Sequence, residues 1–96
     1  MIKIGINGFG RMGRLTARVL AADPEVTITH INDPAADAST LAHLYNFDSI
    51  HGRATHEMCV NDSGRIQLNG QEIIVTANNA IADTHWQECD LVIEAS

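Results

Sequence analysis

The sequence is poor in cysteine and in basic residues, and it has no long apolar run. Its 96 residues hold two cysteines, Cys59 and Cys89. They stand far apart and match no metal-ligand or redox spacing, which suits a reduced, cytoplasmic setting. Six Lys and Arg face twelve Asp and Glu, for a formal net charge of -6. That balance removes the electrostatic case for a nucleic acid or an anionic membrane as partner. The longest apolar runs are a few residues, too short to span a bilayer. The first residues do not read as a signal peptide either: Lys3 is followed by Gly5-Ile6-Asn7-Gly8, without a continuous apolar segment or a small-residue cleavage site. Low-complexity tracts, solenoid-length repeats and flexible linkers are also missing. What remains is an ordinary globular composition, 45% apolar and 19% charged, with length for one small domain and a modest core.

Within that length the pattern is specific. Ile2-Lys3-Ile4-Gly5-Ile6 alternates and is rich in β-branched residues, which predicts a strand. Glycines at 8, 10 and 13 follow. Met12, Leu15, Val19 and Ala22 then recur at spacings of three and four, which predicts a helix with those residues as its apolar face and Arg11, Arg14 and Arg18 on other faces. Asp23-Pro24 stops it. Val26 to Ile31 reads as a second strand, ending at Asn32-Asp33-Pro34. Strand, glycine turn, helix and strand in about 30 residues suit a βαβ unit. Asp37 to Asn46 reads as a short helix, with Asp37 or Ser39 as N-cap, and Phe47 to Ala54 as loop. Glu57–Val60, Arg65–Leu68 and Glu72–Val75 read as three short strands, separated by the turn sequences Asn61-Asp62-Ser63-Gly64 and Asn69-Gly70. Ala80 to Cys89 is expected to be helical, and Leu91-Val92-Ile93 to be a strand buried on both faces. The chain ends directly after that strand, at Glu94-Ala95-Ser96, so we expect residues 1–96 to be the N-terminal part of a truncated domain. The expected fold is α/β and Rossmann-type, a mainly parallel sheet with an antiparallel hairpin insertion.

Gly8-Phe9-Gly10-Arg11-Met12-Gly13 is G-x-G-x-x-G. Gly8 permits the tight turn out of the strand, Gly10 leaves room for a phosphate at the backbone, and Gly13 lets the helix pack closely on the strands. The helix N-terminus offers N–H groups and partial positive charge to a pyrophosphate. Taken alone the motif is weak, since seven glycines in 96 residues can produce it by chance; its place between a strand and a helix strengthens it. Asp33 follows Gly13 by 20 residues, at the end of the second strand. An acid there accepts hydrogen bonds from an adenosine ribose and repels a 2′-phosphate, which favours NAD over NADP. The plainer reading of Asp33 is a turn residue within Asn-Asp-Pro. For Arg11 the backbone N–H is the useful group rather than the side chain.

These residues resemble the glyceraldehyde-3-phosphate dehydrogenase family. Ile6-Asn7-Gly8-Phe9-Gly10-Arg11-Met12-Gly13-Arg14 is similar to the family's opening motif, with Met12 where isoleucine is usual. His30-Ile31-Asn32-Asp33 resembles its second strand and acid, and Phe47-Asp48-Ser49-Ile50-His51-Gly52-Arg53 its aromatic-Asp-Ser-x-His-Gly loop. Leu68-Asn69-Gly70 and Ile74-Val75-Thr76-Ala77 resemble its hairpin, and Trp86 with residues 90–96 the approach to the next sheet strand. The resemblance covers the whole chain.

The resemblance implies an NAD-dependent oxidoreductase of glycolysis. It would oxidise an aldehyde phosphate through a cysteine thiohemiacetal, pass hydride to NAD and release an acyl phosphate. It also implies a homo-oligomer, a tetramer, when full-length. By motif matching Asn7, Gly8, Phe9, Gly10, Arg11, Met12, Gly13 and Asp33 contact the cofactor, Asn79 falls where many members carry an arginine near the adenine, and Ser96 lies near the cofactor. The family's Ser-Cys-Thr-Thr-Asn motif and its histidine partner do not occur here, so no catalytic residue is assigned. Cys59 and Cys89 read as small semi-buried residues, and His51 as structural or intersubunit. Ala54 departs from the aromatic usual after His-Gly-x. Asp33 in place of glutamate leans away from the erythrose-4-phosphate dehydrogenase branch. Ala42-His43-Leu44 with Phe47-Asp48-Ser49, and the ending Val92-Ile93-Glu94-Ala95-Ser96, also resemble a branch associated with arsenate resistance. Two other readings compete: a nucleotide-binding module without chemistry, which continuation of the frame past Ser96 would discriminate, and another Rossmann dehydrogenase sharing only the glycines and the acid.

Overall fold

The computed structural model describes residues 1–34, 37–48, 52–53, 57–61, 65–79, 85–86 and 89–95. The elements run β1 (Ile2–Asn7), α1 (Arg11–Ala21), β2 (Val26–Asn32), α2 (Ala38–Asn46), β3 (Phe47–Asp48), β4 (Gly52–Arg53), β5 (Met58–Val60), β6 (Ile66–Leu68), β7 (Gln71–Thr76) and β8 (Leu91–Glu94). Six strands form one sheet in the order β5-β6-β7-β2-β1-β8. The β7-β2-β1-β8 portion is parallel, while β5, β6 and β7 are antiparallel neighbours. The expected Rossmann-type α/β sheet with an antiparallel insertion is what the chain forms. No helix among the described residues is long and apolar enough to cross a membrane.

The core lies between the sheet and the two helices. Ile4, Ile6, Ile28 and Ile31 come from the central strands, Leu41, Ala42 and Tyr45 from α2, and Met58, Ile66 and Ile73 from the hairpins. Each large aliphatic side chain removed from water contributes about 2 kcal/mol. Between Ile4 and Gly5 the β1–β2 register slips, so that Ile4 pairs with Ile28 but Gly5 with His30. This irregularity turns Ile28 and Ile31 both into the core despite their odd spacing, and it leaves Thr29 and His30 to contact Cys89 and Trp86.

The helix α1 packs by a different face from the one its periodicity suggests. Gly13 and Ala17 are buried and Leu20 and Ala21 pack on the core, while Met12 is 63% and Val19 64% exposed. Close approach decides this. A Cβ placed on Gly13 would collide with the carbonyl oxygen of Gly8, so the first turn of the helix sits close against the glycine turn, and the small residues Gly13 and Ala17 take the buried side. Arg14 and Arg18 hydrogen-bond within the fold. Arg14 Nη1 donates to the Phe9 carbonyl at 3.2 Å. Arg18 donates from Nε and Nη2 to the Tyr45 carbonyl at 3.2 and 2.8 Å, satisfying the C-terminal end of α2.

Other expectations need correction. Asp37 is the N-cap of α2, but its carboxylate accepts from the Thr40 hydroxyl (2.8 Å) rather than a backbone N–H. The 47–54 stretch is not all loop, because β3 and β4 pair there as a two-residue antiparallel ladder. Asn46 holds this region to β5: its side chain accepts from Met58 N–H and donates to Met58 C=O, at 2.8 and 2.7 Å. Asn69 and Gly70 have φ of 54° and 79°, the left-handed pair that a type I′ hairpin requires. The Asn69 amide also donates to Ala21 C=O at the end of α1. Most of the 80–89 stretch lies outside the described residues, and His85, Trp86 and Cys89 within it are not helical. Among the described residues strand β8 pairs with β1, with Val92 and Ile93 half-buried and Leu91 exposed.

Candidate nucleotide-binding site

The parallel strands end on one side of the sheet, and β1 lies between β2 and β8. The chain leaves β1 through α1 to β2 on one side, while β8 pairs with the other side of β1, and in open α/β sheets such a reversal of strand order leaves a crevice at the strand ends. The glycine turn occupies that point. Gly8 has φ 96°, a conformation strained for any side chain, and its N–H donates to Asn32 C=O at 2.7 Å, pinning the turn to β2. Phe9 drops its ring into the core, stacked on Tyr45 with centroids 6.4 Å apart. Gly10 is the N-cap of α1 with φ -74°, and a Cβ there would meet nothing within 4 Å. Its lack of a side chain serves neither backbone strain nor packing; it keeps open the space in front of the helix N-terminus. Among the described residues no side chain caps α1, and no acid lies in its first turn. Uncapped N–H groups and an open cradle together fit a phosphate.

Asp33 sits directly against this turn. Its Oδ2 accepts the Phe9 N–H at 2.8 Å, and its own N–H donates to Thr76 C=O at 3.0 Å. The residues singled out from the sequence thus divide. Asn7, Gly8, Phe9, Gly10, Gly13 and Asp33 come together. Phe9 does so through its backbone, since its side chain is core. Arg11 and Met12 are exposed at the start of α1, and Asn79 is exposed beyond β7. Ser96 and His51 lie outside the described residues.

Sequence reasoning missed a polar row that crosses the crevice floor. Register aligns Glu94, Asn7, Asn32 and Thr76, the last residues of β8, β1, β2 and β7. Asn7 Nδ2 donates to Glu94 Oε2 at 2.9 Å, and Asn32 Nδ2 to Asn7 Oδ1 at 2.9 Å. Thr76 Oγ1 donates to Asn32 Oδ1 at 2.6 Å, and His30 Nε2 lies 3.0 Å from Thr76 Oγ1. The same Asn32 amide spans the Asn78 backbone, accepting from its N–H and donating to its C=O, both at 3.0 Å. Asn32 is 1% exposed, so leaving any of these groups unpaired would cost about 1–3 kcal/mol. The available signal was that apolar strand runs end in Asn7, Asn32, Thr76 and Glu94, but which strands are neighbours had to be known first.

Burial holds His30 below its ordinary pKa and raises that of Tyr45, where the Arg18 guanidinium opposes the shift. Cys59 is exposed rather than semi-buried, while Cys89 is half-buried with Sγ 3.4 Å from Thr29 Oγ1. Among the described residues no cluster of His, Cys, Asp and Glu could hold a metal. A cavity of about 680 Å³ opens between Asp37, Arg65 and β7, and no glycine-turn residue lines it.

Comparison with known proteins agrees with the geometry. Residues 2–96 match the family described as glyceraldehyde 3-phosphate dehydrogenase, NAD binding domain. The glyceraldehyde-3-phosphate dehydrogenases of Heyndrickxia coagulans and Geobacillus stearothermophilus are each 42% identical over 97 residues, covering 99% of this chain and 28% of the relative. A chloroplastic glyceraldehyde-3-phosphate dehydrogenase of Arabidopsis thaliana is 33% identical over 98% of this chain and 23% of its own length. The chain thus spans about a quarter of the curated relatives it matches. With its glycine turn, its acid and its sheet order all in place, this chain belongs to the glyceraldehyde 3-phosphate dehydrogenase family and matches its NAD-binding domain.

Proposed function

We propose that residues 1–96 are the N-terminal part of an NAD-binding domain whose complete polypeptide oxidises a phosphorylated aldehyde, glyceraldehyde 3-phosphate or a close analogue, to an acyl phosphate. The observation that carries the proposal is the junction of Asp33 with the glycine turn. It sets a ribose acceptor beside an uncapped helix N-terminus with an open cradle at Gly10.

In this reading the backbone at Gly10, Arg11, Met12 and Gly13 faces the pyrophosphate, Asp33 takes the adenosine ribose hydroxyls, and Asn7 and Gly8 shape the turn. Asn79 and Ser96 border the adenine and nicotinamide sides. Bound NAD supplies the hydride acceptor. The catalytic cysteine and histidine belong to the rest of the polypeptide, and Cys59 and Cys89 take no part. Cytoplasmic location and a homotetramer are part of the same proposal.

The test is calorimetric titration of the full polypeptide with NAD and with NADP, beside Asp33→Ala. NAD binding that weakens at least about tenfold in the variant, with NADP weaker than NAD in the parent, is expected. Equal affinity in parent and variant would overturn the assignment of Asp33.

A further inference from the structure

The polar row has a single possible arrangement of protons. Asn78 N–H can only donate and Asn78 C=O can only accept, so the orientation of the Asn32 amide is set: Oδ1 toward the N–H, Nδ2 toward the C=O. Asn32 Oδ1 carries no proton, so the Thr76 hydroxyl, 2.6 Å away, must donate to it. A hydroxyl has one proton. Toward His30 Nε2, at 3.0 Å, Thr76 Oγ1 can therefore only accept, and Nε2 must carry the hydrogen. The rest follows in one direction, from Asn32 to Asn7 and from Asn7 to the Glu94 carboxylate. Four hydrogen bonds run head to tail from His30 to Glu94, each polarising the next.

The neutral ring then has a bare Nδ1, and that atom is buried without a hydrogen-bond partner among the described residues. His30 is 2% exposed, and its ring lies against Trp86 with centroids 4.5 Å apart. Among the described residues none accepts from an Nδ1–H. The packing thus selects the Nε2–H tautomer from one side, and the row demands it from the other.

We propose that His30 is a positioning residue of the nucleotide site: its Nε2–H directs the Thr76 hydroxyl onto Asn32, which in turn ties the Asn78 loop to the glycine turn. The inference rests on the nucleotide-binding reading above. His30 touches no part of the cradle itself. It acts through Thr76 and Asn32, and its effect falls on the geometry of the loop that carries Asn79 and on the Asn7–Asn32 contact beneath Gly8.

The experiment uses the full-length polypeptide, with ¹⁵N-labelled histidine, and four variants: His30→Leu, His30→Gln, Thr76→Val and Thr76→Ser. Ring nitrogen shifts report the tautomer, amide exchange at Asn78 reports the loop, and NAD titration reports the site. We expect the Nε2–H tautomer in the parent. Thr76→Val and His30→Leu should speed Asn78 exchange about fivefold or more and weaken NAD binding by a similar factor. Thr76→Ser keeps the hydroxyl, and His30→Gln keeps a donor near the Nε2 position, so both should stay within about twofold of the parent. An Nδ1–H tautomer, or unchanged Asn78 exchange in Thr76→Val, would overturn the inference whatever Asp33→Ala does. Unchanged NAD binding in Asp33→Ala would instead overturn the nucleotide-site reading and leave the exchange result standing. If His30→Leu does not fold, the Thr76 pair decides alone.

Discussion

Asp33 Oδ2 accepts the backbone N–H of Phe9 at 2.8 Å, which joins the end of the second strand to the glycine turn that leaves the first. One carboxylate therefore serves the fold and, in the proposed function, the ribose. The two roles separate by substitution. Asp33→Ala should lose NAD affinity and also about 1–3 kcal/mol of stability, because the Phe9 N–H loses a charged acceptor. Asp33→Asn keeps an oxygen for Phe9 and should recover most of the stability but not the affinity. Denaturant midpoints measured beside calorimetry would reveal the split, and two variants with parallel losses would refute it.

The glycines of the motif should respond differently. A Cβ at Gly13 meets the Gly8 carbonyl, so Gly13→Ala should cost about 2 kcal/mol or more through forced separation of helix and strand. A Cβ at Gly10 meets nothing within 4 Å. Gly10→Ala should leave thermal stability within about 0.5 kcal/mol and weaken NAD binding about tenfold or more. Loss of stability at Gly10, or tolerance at Gly13, would show that the turn is built otherwise.

The packing face of α1 offers a third test. Val19→Ser, on the exposed side, should change stability by no more than about 0.5 kcal/mol, despite the place of Val19 in the apolar periodicity. Ala17, fully buried against the sheet, should not tolerate enlargement: Ala17→Leu is expected to cost about 1–3 kcal/mol. Chemical denaturation of the two variants distinguishes this face from the one that spacing suggests.

His30 makes stability depend on pH. Burial lowers its pKa from the ordinary value of 6.5. The unfolded chain therefore takes up the proton first as pH falls. The contribution of neutral His30 is fully present above 6.5 and declines as pH drops from there toward the lower folded value. Denaturation midpoints at about pH 7.5 and about pH 5.5 should differ more in the parent than in His30→Gln, which has no proton to gain. An equal drop in both proteins would remove His30 as the source.

Much of this was legible in one dimension. Strands, glycine turn, helices and hairpin could be placed from periodicity and turn chemistry, because Asn69-Gly70 and the G-x-G-x-x-G run need only local backbone geometry to act. Asp33 could be paired with the turn because a βαβ unit has a nearly constant length. The packing face of α1 could not. Spacing reports hydrophobicity, whereas the depth of packing is set by the absence of a Cβ at Gly13, which lets the start of the helix approach the turn closely and puts Gly13 and Ala17 on the buried side.

The sequence by itself determined the class of the domain, its turn residues and the acid that meets the glycine turn, since each depends on neighbours within one βαβ unit. Only the tertiary structure decided which polar side chains share the floor of the crevice. Asn7, Asn32, Thr76 and Glu94 are 25, 44 and 18 positions apart in sequence order and become neighbours because parallel pairing brings four strand ends to one height. The direction of their hydrogen bonds, and with it the tautomer of His30, follows from backbone donors and acceptors at Asn78 that no linear pattern announces.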